Sequence, residues 1–132
     1  MSSTTEPRRN DNSSAIEMRQ RPNSTITWDN GAVITPSHFV SLDGAGQNVT
    51  LSGNNSRLFV VPAGGALNLN GLTLTNGFDS SGGGGAIHNS GTLTISNSTF
   101  SNNSTTGNGN SGGAINTFFA LTITNSTFSG NS

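Results

Sequence analysis

Residues 84–104 and 112–132 are one phrase written twice. GGAIHNSGTLTISNSTFSNNS returns as GGAINTFFALTITNSTFSGNS at an offset of 28 with no gap, and 14 of the 21 aligned positions are identical. A unit of that length cannot enclose its own apolar face and buries it by stacking on neighbouring copies. Each copy holds two short strand-like pieces, Leu93–Ser96 and Thr99–Ser101 in the first, set apart by Asn and Ser. The repeat predicts an all-β chain: a right-handed parallel β-helix (a β-solenoid) of about four coils over residues 24–132, preceded by a flexible polar tail over 1–23.

Weaker copies run backward from the clear pair. GGAL at 64–67 aligns with GGAI at 84–87, LTLTN at 72–76 with LTISN at 93–97, and VTLSG at 49–53 with LTLTN. The offsets differ because loops such as GFDSSGGGG and STTGNGNSGG differ in length, their glycines suiting turns at positive φ. This alignment predicts one inward column of Val49, Leu72, Leu93 and Leu121 and another of Leu51, Leu74, Ile95 and Ile123. Between them Thr50, Thr73, Thr94 and Thr122, and after them Ser52, Thr75, Ser96 and Thr124, are expected to point outward. That alternation is the period of two of a strand with one buried face. A further strand position is assigned to Ser41–Asp43, Leu67–Leu69, Ile87 and Ile115. The last goes to Phe59, Phe100 and Phe128, with Phe78 nearby.

Composition limits the partners. Only 8% of residues are charged, lysine is absent, and the net charge is −1. No basic field draws nucleic acid or anionic lipid, so neither is expected as a partner. Asn, Ser, Thr and Gly make up more than half of the chain, a balance that suggests disorder until the repeats are seen, because a narrow solenoid core needs few apolar residues per coil. There is no Cys, hence no disulfide or thiolate chemistry. No stretch is long and apolar enough to span a bilayer, and the first residues lack the apolar segment of a signal peptide. The last coil carries no helix, proline or charged strand to close it, so the chain is expected to be a fragment of a longer solenoid or to associate head-to-tail through that uncapped end.

Two motifs carry a family resemblance. The GGAI at Gly84, Gly85, Ala86 and Ile87 and at Gly112, Gly113, Ala114 and Ile115 is followed by FxxN at Phe100–Asn103 and Phe128–Asn131. Paired in this order and at one spacing, they resemble the polymorphic outer-membrane-protein repeats of chlamydiae, a signature also found in secreted bacterial parallel β-helix proteins. VSLDGAG at 40–46 through LTLTNG at 72–77 is similar to the entry coils of such proteins. The resemblance implies a structural or adhesive region of a secreted or cell-surface protein, exported as part of a larger chain, with a host surface or a carbohydrate as ligand. From the residues themselves both motifs read as structural. The glycine pair admits a tight turn into a strand, Phe fills a core corner, and the Asn bonds backbone groups of the turn or the next coil.

Catalysis has little to stand on. Polysaccharide lyases share the architecture and use clustered acids, but Asp29, Asp43 and Asp79 fall in different columns, with Arg57 as the one base of the coils. No paired-carboxylate arrangement results, and Asp43 in LDGAG reads as a turn residue. His38 and His88 lie in different coils without partners, and no metal-ligand spacing occurs. No catalytic residue, cofactor or metal is therefore expected. A carbohydrate-active helix is the alternative reading. A third is an ice-binding solenoid, since Thr50, Thr73, Thr75, Thr94, Ser96, Thr122 and Thr124 are expected to form an outward hydroxyl lattice resembling the ice-binding face of some β-solenoid antifreeze proteins. The N-x-[ST] triplets beginning at Asn23, Asn48, Asn97, Asn103 and Asn125 read as chance in so Asn-rich a chain. Trp28 is expected to cap the first coil's core.

Overall fold

A computed structural model of the chain describes residues 8–9, 16–17, 23–29, 31–106 and 112–132. Most of the 1–23 stretch expected to be a flexible tail lies outside the described residues. Within it, β1 (Arg8–Arg9) and β2 (Ile16–Glu17) form a short antiparallel pair.

Every other strand pairs in parallel, and successive turns of the chain stack into a β-solenoid of about four turns. One sheet contains β6 (Phe59–Val61), β10 (Ile87–Asn89) and β14 (Ile115–Thr117). A second contains β4 (Phe39–Asp43), β7 (Ala66–Asn70), β11 (Thr92–Ser96) and β15 (Ala120–Thr124). The third is the longest ladder, with β3 (Thr25–Thr27), β5 (Val49–Ser52), β8 (Leu72–Thr75), β12 (Thr99–Ser101) and β16 (Thr127–Ser129). A minor sheet pairs β9 (Phe78–Asp79) with β13 (Ser104–Thr105). No helix occurs among the described residues.

Alternation decides which way each side chain faces. Leu51, Leu67, Leu69, Leu74, Leu93, Ile95 and Phe100 are at most 1% exposed, while the hydroxyl or amide residues between them stay half-exposed. Each such burial contributes roughly 1.5–3 kcal/mol. Phe59 and Ile87 stack in register in the first sheet. Trp28 closes the early core as expected: it is buried, meets the Phe59 ring edge-on at 5.6 Å, and donates its indole N–H to the Leu58 carbonyl.

All four predicted inward columns need correction, and Phe59 does not stand with Phe100 and Phe128. LTLT at 72–75 does not stack on Leu93–Ile95; it pairs with β5 on one side and with β12 on the other, setting Leu74 opposite Phe100. The residues beside Leu93 and Ile95 are instead Leu67 and Leu69, and Val40 and Leu42 lie beyond those. Ser41–Asp43 and Leu67–Leu69 therefore belong with the LTI strands and not with Ile87 and Ile115, whose neighbour is Phe59. The physical reason is that LTLT and LTI satisfy the same period-two rule. Local alternation cannot tell one sheet from another when corner loops differ in length.

The two ends of the stack differ. Inward residues of the first coil are covered, with Ile26 9%, Val40 5% and Leu42 2% exposed. In the last coil Ile123 is 42% and Phe128 41% exposed, and with Ala114, Ile115 and Leu121 they line an open apolar concavity of about 490 Å³. Phe118 and Phe119 stand out at the adjoining corner, 71% and 69% exposed.

Candidate functional site: a hydroxyl-bearing sheet

Correct register turns a scattered set of hydroxyls into a lattice. In the third sheet Thr25, Thr50, Thr73, Thr99 and Thr127 occupy one position on five successive rungs. Two residues on, Thr27, Ser52, Thr75, Ser101 and Ser129 occupy the next. Every outward position of these two columns is Thr or Ser. All ten are half-buried or exposed, and strand geometry spaces them about 4.8 Å between rungs and about 6.7 Å along each strand. Ile26, Leu51, Leu74, Phe100 and Phe128 back them from the inside.

The corner that starts each rung is equally regular. Asn23, Asn48, Gly71, Asn97 and Asn125 all have positive φ, between 49° and 67°. Asn and Gly tolerate that region where other side chains do not, so the chain bends there and emerges as a strand. Asn48 donates its amide to Asn23 Oδ1 at 2.8 Å, tying consecutive corners together. Below them Ser98 Oγ accepts the Leu72 N–H and donates to the Ser96 carbonyl, and the Ser126 hydroxyl serves the Ser98 N–H in the same manner. Four of the five N-x-[ST] triplets set aside as chance are these corners, each with its Thr or Ser two residues later on the lattice. The signal that would have found the site is the phrase N-S-T-[IF]-[ST] at 23–27, 97–101 and 125–129, echoed by NVTLS at 48–52 and GLTLT at 71–75.

The lattice predicted from sequence is thus split. Thr50, Thr73 and Thr75 lie on the hydroxyl sheet, whereas Thr94, Ser96, Thr122 and Thr124 lie on the second sheet, where their rungs continue as Asn68, Asn70, Ser41 and Asp43. On that second sheet part of one outward column is bonded across coils. Asn70 donates to Asp43, and both Ser96 and Asn97 donate to Asn70 Oδ1.

GGAI and FxxN act as joints of the scaffold. Gly84 and Gly112 turn at φ +79° and +63°. A Cβ on Gly85 would strike the carbonyls of Ser104 and Gly113, so the next coil can approach only a glycine there. Phe100 and Phe128 stack at 4.8 Å with planes 7° apart. Fully buried Asn103 accepts the Gly77 N–H and donates to the Leu74 carbonyl, and Asn131 repeats the donation to Phe100 one coil on. A second buried amide, Asn89, carried no sequence signal. It donates to Thr117 Oγ1 and the Ala120 carbonyl and accepts the Gly91 N–H.

The titratable residues divide between a turn and a corner. Asp43 caps its own turn by accepting the Ala45 N–H, while Asp29 and His38 are exposed. Asp79 gathers the N–H groups of Ser81, Gly82 and Gly83 and pairs with Arg57 at 2.7 Å. Burial works against its ionisation, but those N–H groups and the Ser81 hydroxyl outweigh it and hold the carboxyl below its ordinary range. Arg57 also donates to the Gly83 and Gly84 carbonyls, pinning the glycine loop. His88 packs on Phe118 at 5.3 Å with Nδ1 buried and without a partner among the described residues. Burial, then the Arg57 charge, push its imidazole below the usual value, against a smaller upward pull from Asp79. No group of three or more His, Cys, Asp or Glu side chains able to hold a metal forms among the described residues.

No family model, curated protein or solved structure matches this chain.

Proposed function

We propose that the chain is a structural and adhesive repeat region of a secreted or cell-surface protein, and that it touches its partner through the hydroxyl sheet without chemistry of its own. One observation carries this reading: ten outward hydroxyls in five stacked rungs form one extended contact surface. The scaffold residues support it, because GGAI, FxxN and the corner residues Asn23, Asn48 and Asn97 are occupied in holding coil on coil. The one ion pair among the described residues is consumed in pinning a loop. The open last coil, residues 114–129, is where self-association would occur, since unpaired strand edges readily accept another strand.

The test is adsorption. The purified chain is mixed with suspended solids, including ice, crystalline cellulose and chitin, and the protein left in solution is measured. We expect depletion by at least one solid, abolished by Thr50→Lys with Thr99→Lys in a chain that keeps its β-rich circular dichroism. Failure to adsorb to any solid overturns the proposal. So does cleavage of soluble pectin or alginate, with or without calcium, that disappears in Asp43→Ala or Asp79→Ala.

A further inference from the structure

We propose that the solid recognised by the hydroxyl sheet is ice. The inference rests on that sheet being the contact face, and it names the chemistry of what is contacted.

Charge is the first discriminator. None of the ten outward positions is ionisable, so the face offers nothing to a mineral lattice, a polyanion or a charged membrane. None is aromatic either, so no ring is available to lie against the apolar side of a sugar. What the face does present is hydroxyl valence. Each Thr or Ser carries one donor and two acceptor sites, and nine of the ten spend none of it on side-chain hydrogen bonds among the described residues. The exception is Ser52, which accepts from Asn76. On the second sheet, by contrast, Asp43, Asn70 and Ser96 of one outward column are tied to one another across coils.

Order is the second discriminator. Free hydroxyls recur in two dimensions at about 4.8 Å by about 6.7 Å, close to the oxygen repeats on exposed planes of ice. One column is Thr on all five rungs. A β-branched side chain has few χ1 options, so its hydroxyl and methyl are already placed and little rotamer freedom is lost on adsorption. Strand propensity alone favours Thr at any outward position, yet it acts equally on the second sheet, whose outward positions include Phe39, Asp43, Ala66 and Asn68. Uniformity is confined to one face.

The experiment grows ice slowly through a solution of the purified chain and measures the protein taken into the ice, with thermal hysteresis read on the same sample. Uptake above that of a non-binding control protein and measurable hysteresis are expected. Both should be lost in Thr73→Lys with Thr99→Lys and retained in Thr94→Lys, which alters the second sheet. If the lysine variant does not fold, Thr73→Tyr lifts the face from the lattice without charge and should cause the same loss. Exclusion of the native chain from ice overturns the inference, as does hysteresis that Thr94→Lys removes equally. Adsorption to cellulose through the hydroxyl sheet without uptake into ice overturns ice as the ligand and leaves the adhesive reading standing. Adsorption to neither overturns both.

Discussion

The internal repeat places one residue in two environments, and truncating each copy measures what coverage by a neighbouring coil is worth. Phe100 is 0% exposed, between Leu74 and Phe128, whereas Phe128 is 41% exposed at the open end. Phe100→Ala loses the transfer energy of a full ring, leaves a cavity between two coils, and breaks the stack at 4.8 Å. A fully enclosed Phe→Ala change costs about 3–5 kcal/mol. Phe128→Ala removes a ring that has gained only about three-fifths of its burial, so the transfer loss is roughly 1–2 kcal/mol. Water fills the space, so no cavity term is added, and loss of the stacking contact contributes about 0.5–1.5 kcal/mol. Urea unfolding followed by far-ultraviolet circular dichroism at low protein concentration should therefore place Phe100→Ala lower in midpoint by a clear margin. Equal losses would refute the reasoning, because they would mean that the last coil is covered in solution. A Phe128→Ala loss that grows with protein concentration would identify a second copy as the cover.

The remaining expectations concern the core and its acid response. Leu93→Asp buries an unpaired charge at a 0% exposed position and should unfold the stack, whereas Thr94→Asp, facing outward one residue later, should shift the midpoint by less than about 0.5 kcal/mol; circular dichroism of the two variants decides. Acid should weaken the fold in two steps: an imidazole with a depressed folded value stabilises above its unfolded value and loses that contribution as pH falls through that value toward the depressed one, and a depressed carboxylate does the same at lower pH. Urea midpoints across pH should therefore fall first with His88 and then with Asp79, and His88→Gln should erase the upper step alone.

Much of the architecture is legible before any coordinates. The repeat at 84–132 fixes a parallel stack, and alternation assigns Leu93, Ile95 and Phe100 to the inside. What alternation cannot supply is which strands are neighbours, since every sheet of a solenoid obeys the same period. Likeness pairs LTLT at 72–75 with LTI, yet its neighbours are VTLS and TFS. The better guide is the corner. A positive φ is a backbone demand that few residues meet, so Asn and Gly mark the register more faithfully than Leu and Thr do. Asn89 and the Arg57–Asp79 pair were beyond reach for a different reason: their partners lie 28 and 22 residues away across loops of unequal length.

The column of left-handed corners also makes each coil a cassette. Asn23, Asn48, Gly71, Asn97 and Asn125 bend the chain at one fixed place on every turn, so length gained or lost in a distant loop leaves the rungs aligned. Duplication of one turn then adds a whole rung, with two more hydroxyls already in register, and deletion removes one cleanly. Contact with an extended solid is a sum over rungs acting together, and the effective concentration of each is set by those already bound. The strength of such a surface is therefore adjustable by copy number alone, by unequal recombination between near-identical repeats, without a single new side chain having to be selected.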